Sequence, residues 1–163
     1  MPNGETPIIM GCDHAAYELK ENIKAFIQQK GIAVYDVGAF SAESVDYPDF
    51  GCRVAGAVST GEYARGILLC GTGLGMSMVA NKFQHVRAAL CNDLFSAIMC
   101  RRHNDANILV LGGRVIGDVL AREIVTAWLE TPFEGGRHQL RLNKFNNMGC
   151  LVSLAAAPGV HNL

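Results

Sequence analysis

The strongest constraint in this chain is an alternation of two patterns. Short apolar runs ending in glycine or cysteine (PIIMGC, GIAVYDVG, ARGILLCG, VRAALCN and ANILVLGG) are separated by amphipathic stretches of a dozen or so residues. The runs have the length and residue types of buried strands. Between them, helical spacing covers residues 15–30, 48–60, 74–83, 93–102 and 118–130. In the first stretch Leu19, Ile23, Phe26 and Ile27 form one apolar stripe and Gly31 stops the helix. Pro48 suits a first helical turn. A sixth helical piece is expected after Gly135 and Gly136, placing Arg137 and Arg141 on one face. Strand and helix in strict alternation require crossover connections and hence a parallel sheet. The expected fold is α/β, a single-domain Rossmann-like three-layer arrangement with a five-stranded parallel sheet and helices on both faces.

With 163 residues the chain has the size of one ordinary domain with one continuous core. Domain organisation is expected as residues 1–145, including the C-terminal helix, followed by an aperiodic tail at 146–163. Lys and Arg number 14 against 15 Asp and Glu, with no basic run, so nucleic acid is not an expected partner. The longest apolar stretch, residues 67–80, contains Gly71, Gly73 and Gly75 and falls short of the roughly 20 residues a membrane helix needs. No membrane association is expected, and Met1–Thr6 does not read as a signal peptide. Six cysteines without a CxxC pair fit a reducing, cytoplasmic setting.

In open parallel sheets, ligands bind beyond the carboxyl ends of the strands. Those ends hold Gly11, Cys12, Asp13 and His14, then Cys70 to Gly75, then Asn92 and Asp93, then Gly112 to Arg114. The densest signal is CGTGLGMS, where Gly71, Gly73 and Gly75 free backbone amides to face an anion or a developing oxyanion. Strict phosphate templates fail: Met76 and Ser77 stand where a Walker A loop needs Gly and Lys, and Met76 also replaces the arginine of a phosphatase loop. The third glycine falls one position early for a dinucleotide fingerprint.

Cys70 stands where a strand meets this turn, so its sulfur faces a helix N-terminus that favours the thiolate, the form able to act as a base. A buried structural thiol is the competing reading, and it is the one adopted for Cys91 and Cys100. Asp13 could contact a ligand or cap the helix that follows. His103 and Asn104 could carry chemistry or end a solvated helix. Arg137 and Arg141 could be a solvated face or a pair of forks for a phosphate dianion. With neither HExxH, nor paired CxxC, nor a carboxylate cluster, a metal-free mechanism is expected.

Together GCDHAAYELK, DYPDF, CGTGLGMSMVANKF, RRHNDANILVLGGRVIG and EGGRHQLR resemble the ribose-5-phosphate isomerase B family over residues 8–145. The resemblance implies interconversion of D-ribose 5-phosphate and D-ribulose 5-phosphate through a cis-enediolate, without a cofactor. It assigns to Cys70 the base that moves a proton between C2 and C1, with Thr72 beside it, and to His103 the opening of the furanose ring. It gives the enediolate oxygens to the amides of Gly71, Gly73 and Gly75 and to Asn104, the sugar to Asp13 and Tyr47, and the phosphate to His14, Arg114, Arg137 and Arg141. A related subgroup carries a glutamate where this chain has Met76, leaving the sulfur as the base on offer.

Topology adds an independent expectation. Cys70 belongs to the carboxyl edge of the sheet and His103, at the end of a helix running back, to the opposite edge, about 17 Å away for five-residue strands. A homodimer or higher oligomer is therefore expected, with His103, Asn104, Arg137 and Arg141 completing a neighbour's site. The alternatives are a hexose 6-phosphate isomerase acting on allose or galactose 6-phosphate and a non-catalytic sugar-phosphate or nucleotide-binding module. A thiol redox protein is disfavoured by the missing CxxC.

Overall fold

The computed structural model describes residues 6–144. In chain order the elements are β1 (Ile8–Cys12), α1 (Tyr17–Gln29), β2 (Val34–Asp36), α2 (Tyr47–Ser59), β3 (Arg65–Cys70) and α3 (Leu74–Ala80). They are followed by β4 (Ala88–Leu90), α4 (Leu94–Asn104), β5 (Ile108–Gly112), α5 (Asp118–Glu130) and α6 (Arg137–Asn143). The chain divides into two compact units, Met1–Phe133 and Glu134–Leu163. The first holds β1 through α5 and the second holds α6. The tail expected at 146–163 lies outside the described residues.

All strand pairings are parallel, in the order β2-β1-β3-β5-β4. Every residue of β1 and β5 is buried, as a sheet covered on both faces requires. Side chains alternate across the pleat: Ile8, Met10 and Cys12, Ile67 and Leu69, and Leu109 and Leu111 join Leu19, Ile23, Ala97, Ile124 and Trp128 on the face covered by α1, α4 and α5. Ile9, Leu68, Cys70, Ile108 and Val110 join Val54, Val58, Met76 and Ala80 on the face covered by α2 and α3.

The element boundaries differ from the sequence expectation at points with local causes. The first helical stretch opens as a 3-10 turn at His14–Ala16, with Asp13 accepting from the amide of Ala15, before α1 begins. The third helix ends at Ala80 rather than residue 83, because the Asn81 side chain binds the Ser77 carbonyl and both backbone groups of Ala88, turning the chain into β4. The fourth runs on to Asn104 and stops at Asp105, which takes a left-handed conformation.

Candidate active site

After β1 the chain passes to α1 on one face, and after β3 it passes to α3 on the other. Since β1 and β3 are neighbours, their carboxyl ends open a crevice at the point where the strand order reverses. The two ends are tied directly, the Asp13 amide donating to the Leu69 carbonyl at 3.1 Å.

The loop from Cys70 to Gly75 forms one wall. Strand alternation turns the Cys70 side chain to the α3 face, where it is 5 % exposed. Its Sγ accepts a hydrogen bond from the amide of Gly73 at 3.2 Å. Gly73 has φ +78°, and a Cβ there would run into Leu90 and lie 3.2 Å from the Leu111 carbonyl carbon and oxygen, so only glycine fits without strain. Thr72 is exposed on the same turn, its Oγ1 accepting from the amide of Leu74.

Small residues let three further segments close around this loop. A Cβ at Gly75 would lie 2.7 Å from the Tyr47 ring, and one at Gly113 would lie 2.8 Å from Ala16. Arg114 donates its amide to the Gly71 carbonyl at 2.9 Å, and its exposed side chain runs along Gly71 within 4 Å of a Cβ placed there. His14 has its Nδ1 3.2 Å from both the amide and the carbonyl of Val45. The crevice therefore gathers Cys70, Thr72, Gly71, Gly73, Gly75, Asp13, His14, Tyr47 and Arg114. The sequence reading missed the fit of the HAA alanines against Gly71 and Gly113 and the backbone partner of His14. The adjacent alanines of GCDHAAY were the available signal for the first.

His103 and Asn104 are not in this crevice. They end α4 beside the amino ends of β4 and β5, where Arg87 Nε binds the Asn104 carbonyl at 2.9 Å. Cys70 pairs with Gly112 at the other end of β5, four register steps beyond Ile108 or about 13 Å along the strand. Arg137 and Arg141 lie on α6 in the second unit, both exposed. There the Arg137 Nε is 3.5 Å from the His138 Nε2, and Glu134 is 3.6 Å from the same nitrogen.

Other titratable groups near the strand ends are already committed. Burial pushes the Cys12 thiol up to about 12 despite the nearby Lys20 ammonium, and its sulfur lies on the face opposite Cys70. The Asp93 carboxylate accepts from the amide and hydroxyl of Ser96, bonds that hold it below the usual carboxylate range. Cys91 and Cys100 are buried as expected, but their sulfurs also touch at 3.9 Å, a pairing the spacing did not reveal. Among the described residues, no helix is long and apolar enough to cross a membrane.

Comparison with known proteins places these features in a family. A family model described as Ribose/Galactose Isomerase matches residues 8–145. Ribose-5-phosphate isomerase B of Escherichia coli is 49% identical over 135 residues, covering 83% of this chain and 91% of that protein. The D-erythrulose-4-phosphate isomerase of Pectobacterium atrosepticum is 46% identical over 138 residues, covering 84% and 91%. The solved structure of Clostridium thermocellum ribose-5-phosphate isomerase B superimposes with a TM-score of 0.87 at 50% identity, covering 90% of this chain and 99% of that one. The chain belongs to the ribose/galactose isomerase family.

Proposed function

We propose that this chain is an aldose-ketose isomerase that interconverts D-ribose 5-phosphate and D-ribulose 5-phosphate in the non-oxidative branch of the pentose phosphate pathway. The observation that carries the reading is the amide-to-sulfur hydrogen bond between Gly73 and Cys70 at the mouth of the crevice. A sulfur base held beside the amides of a glycine-rich turn supplies the two things enolisation needs, a proton acceptor and donors to the developing oxyanion. The Cys70 sulfur takes the proton from C2 of the opened aldose and returns it to C1. The charge that develops on the two oxygens falls to the amides of Gly71 and Gly75, with Thr72 alongside, while the Gly73 amide stays on the sulfur. Removing one such donor in other enzymes costs about 3–4 kcal/mol of barrier. Asp13 and Tyr47 contact the sugar, and His14 and Arg114 face the phosphate, whose binding energy holds the reacting carbons in place.

Ring opening falls to His103, with Asn104 on the enediolate. Because both stand at the far edge of the sheet from Cys70, they serve a second copy's crevice, together with Arg137 and Arg141 on the phosphate. The reading takes the protein as a homodimer or higher homo-oligomer in the cytoplasm, acting on a small sugar phosphate and needing no cofactor. The test is a coupled assay of ribose 5-phosphate conversion with and without EDTA. Equal, substantial rates are expected, and absence of conversion by the folded protein would refute the reading. The Pectobacterium relative, named a D-erythrulose-4-phosphate isomerase, favours one rival within the class, a four-carbon sugar phosphate as substrate.

A further inference from the structure

The Lys20 side chain is fully buried, yet it lies outside the crevice. Taking an ammonium out of water is costly even when paired, and a well-packed apolar side chain in its place is commonly neutral or stabilising, so stability alone explains such a residue poorly. What the ammonium holds is more informative. Lys20 Nζ lies 2.7 Å from Asp36 Oδ2 and 2.6 Å from Glu21, and Lys24 binds the same two carboxylates. The rings of Tyr17 and Phe40 each lie 5.4 Å from the ammonium, although Phe40 itself is 69 % exposed.

The other oxygen of Asp36 accepts from the amide of Gly38 at 2.9 Å. From there the chain grips the end of β1: Val37 donates to the Met10 carbonyl, Gly38 accepts from the Cys12 amide, and Ala39 donates to the Cys12 carbonyl. Cys12 is the residue before Asp13. Residues 37–46 contain no helix or strand, and their far end carries Val45, bonded to His14, and leads into Tyr47, packed on Gly75. The segment thus bonds one crevice residue, His14, and adjoins two others, Asp13 through its neighbour Cys12 and Tyr47 along the chain, and its near end is fixed by the charge on Lys20.

We propose that the Lys20–Asp36 ion pair is a positioning element for substrate binding, acting through residues 37–46 on Asp13, His14 and Tyr47. Its effect on substrate rests on the isomerase reading; its effect on the segment does not. Lys20→Met keeps the length of the side chain and removes the charge, and Asp36→Asn keeps an acceptor for Gly38. In the full chain both variants raise KM for ribose 5-phosphate about fivefold or more with kcat within about twofold, the split expected when binding geometry loosens while the sulfur is untouched. Phe40→Ala, an exposed change that leaves the core intact, shifts KM in the same direction by a smaller factor and keeps the proposal testable should the charge variants fail to fold. Amide hydrogen exchange at Cys12, Ala39 and Val45, which needs no turnover, accelerates in parallel. Unchanged KM and unchanged exchange in folded variants would overturn the proposal, as would a lowered Tm with neither altered. A wild-type protein without isomerase activity would sink the isomerase reading alone, and the exchange rates would still decide this one.

Discussion

The amide of Gly73 donates to the sulfur of Cys70 across 3.2 Å, joining the last residue of β3 to the residue that caps the start of α3. At this point Gly73 holds a left-handed conformation, with φ +78°. In Gly73→Ala, that conformation costs about 1–2 kcal/mol before the collision with Leu90 is counted. The variant is expected to melt several degrees lower and to lose about a hundredfold or more in kcat/KM. Thermal melts and the coupled assay read the two losses separately.

The ion cluster around Lys20 predicts an acid limb in stability. Burial on its own raises the Asp36 and Glu21 carboxyls, but hydrogen bonds from Lys20 and Lys24 outweigh it and hold both below the usual range. A carboxyl depressed in the folded state contributes stability that is complete above its unfolded value, about 4, and is lost as pH falls through the folded one. Urea midpoints are therefore expected to be steady from about pH 5 to 8 with respect to these groups and to drop below about pH 4. Asp36→Asn should flatten that drop. An acid limb of the same size in the variant would show that the pairs contribute nothing.

Separation of Cys70 and His103 along β5 predicts intersubunit complementation. Cys70→Ala and His103→Ala proteins are each expected to be nearly inactive. Mixed under conditions of confirmed subunit exchange, they should regain about a quarter of wild-type activity, because a random hybrid dimer holds one intact site and forms half of the population. No recovery after proven exchange would show that each chain completes its own site.

Substrate choice is predicted by chain length. A crevice gripping the phosphate at one end and C1 and C2 at the other leaves a fixed span, and one carbon too many or too few costs about 1–3 kcal/mol. The kcat/KM for ribose 5-phosphate should exceed those for allose 6-phosphate and erythrulose 4-phosphate by about tenfold or more. A reversed order would make the four- or six-carbon sugar the substrate.

Much of this arrangement is legible in the sequence. β1, β3 and β5 read as continuous apolar runs because both sheet faces are covered, and the glycine spacing at 71, 73 and 75 by itself marks the tight turn. Topology alone places His103 at the edge opposite Cys70. What stays hidden depends on partners distant in sequence. Lys20 follows Leu19 outside the apolar stripe of α1, and nothing in that spacing marks it as buried, yet its side chain is fully buried with Asp36 meeting it from the next strand. The sulfur contact between Cys91 and Cys100 forms only when the end of β4 folds against α4, and α3 is shortened by an asparagine bonding across to β4. Periodicity reports which face of an element is apolar, not which polar groups will meet beneath it.

Proton exchange at C2 tests the central claim most directly. Ribose 5-phosphate incubated in deuterated water with the wild-type protein should lose its C2 proton signal as ribulose 5-phosphate accumulates. With folded Cys70→Ala protein the exchange should slow by at least about a hundredfold, the scale of a lost general base. Exchange at the wild-type rate without that sulfur would contradict the account.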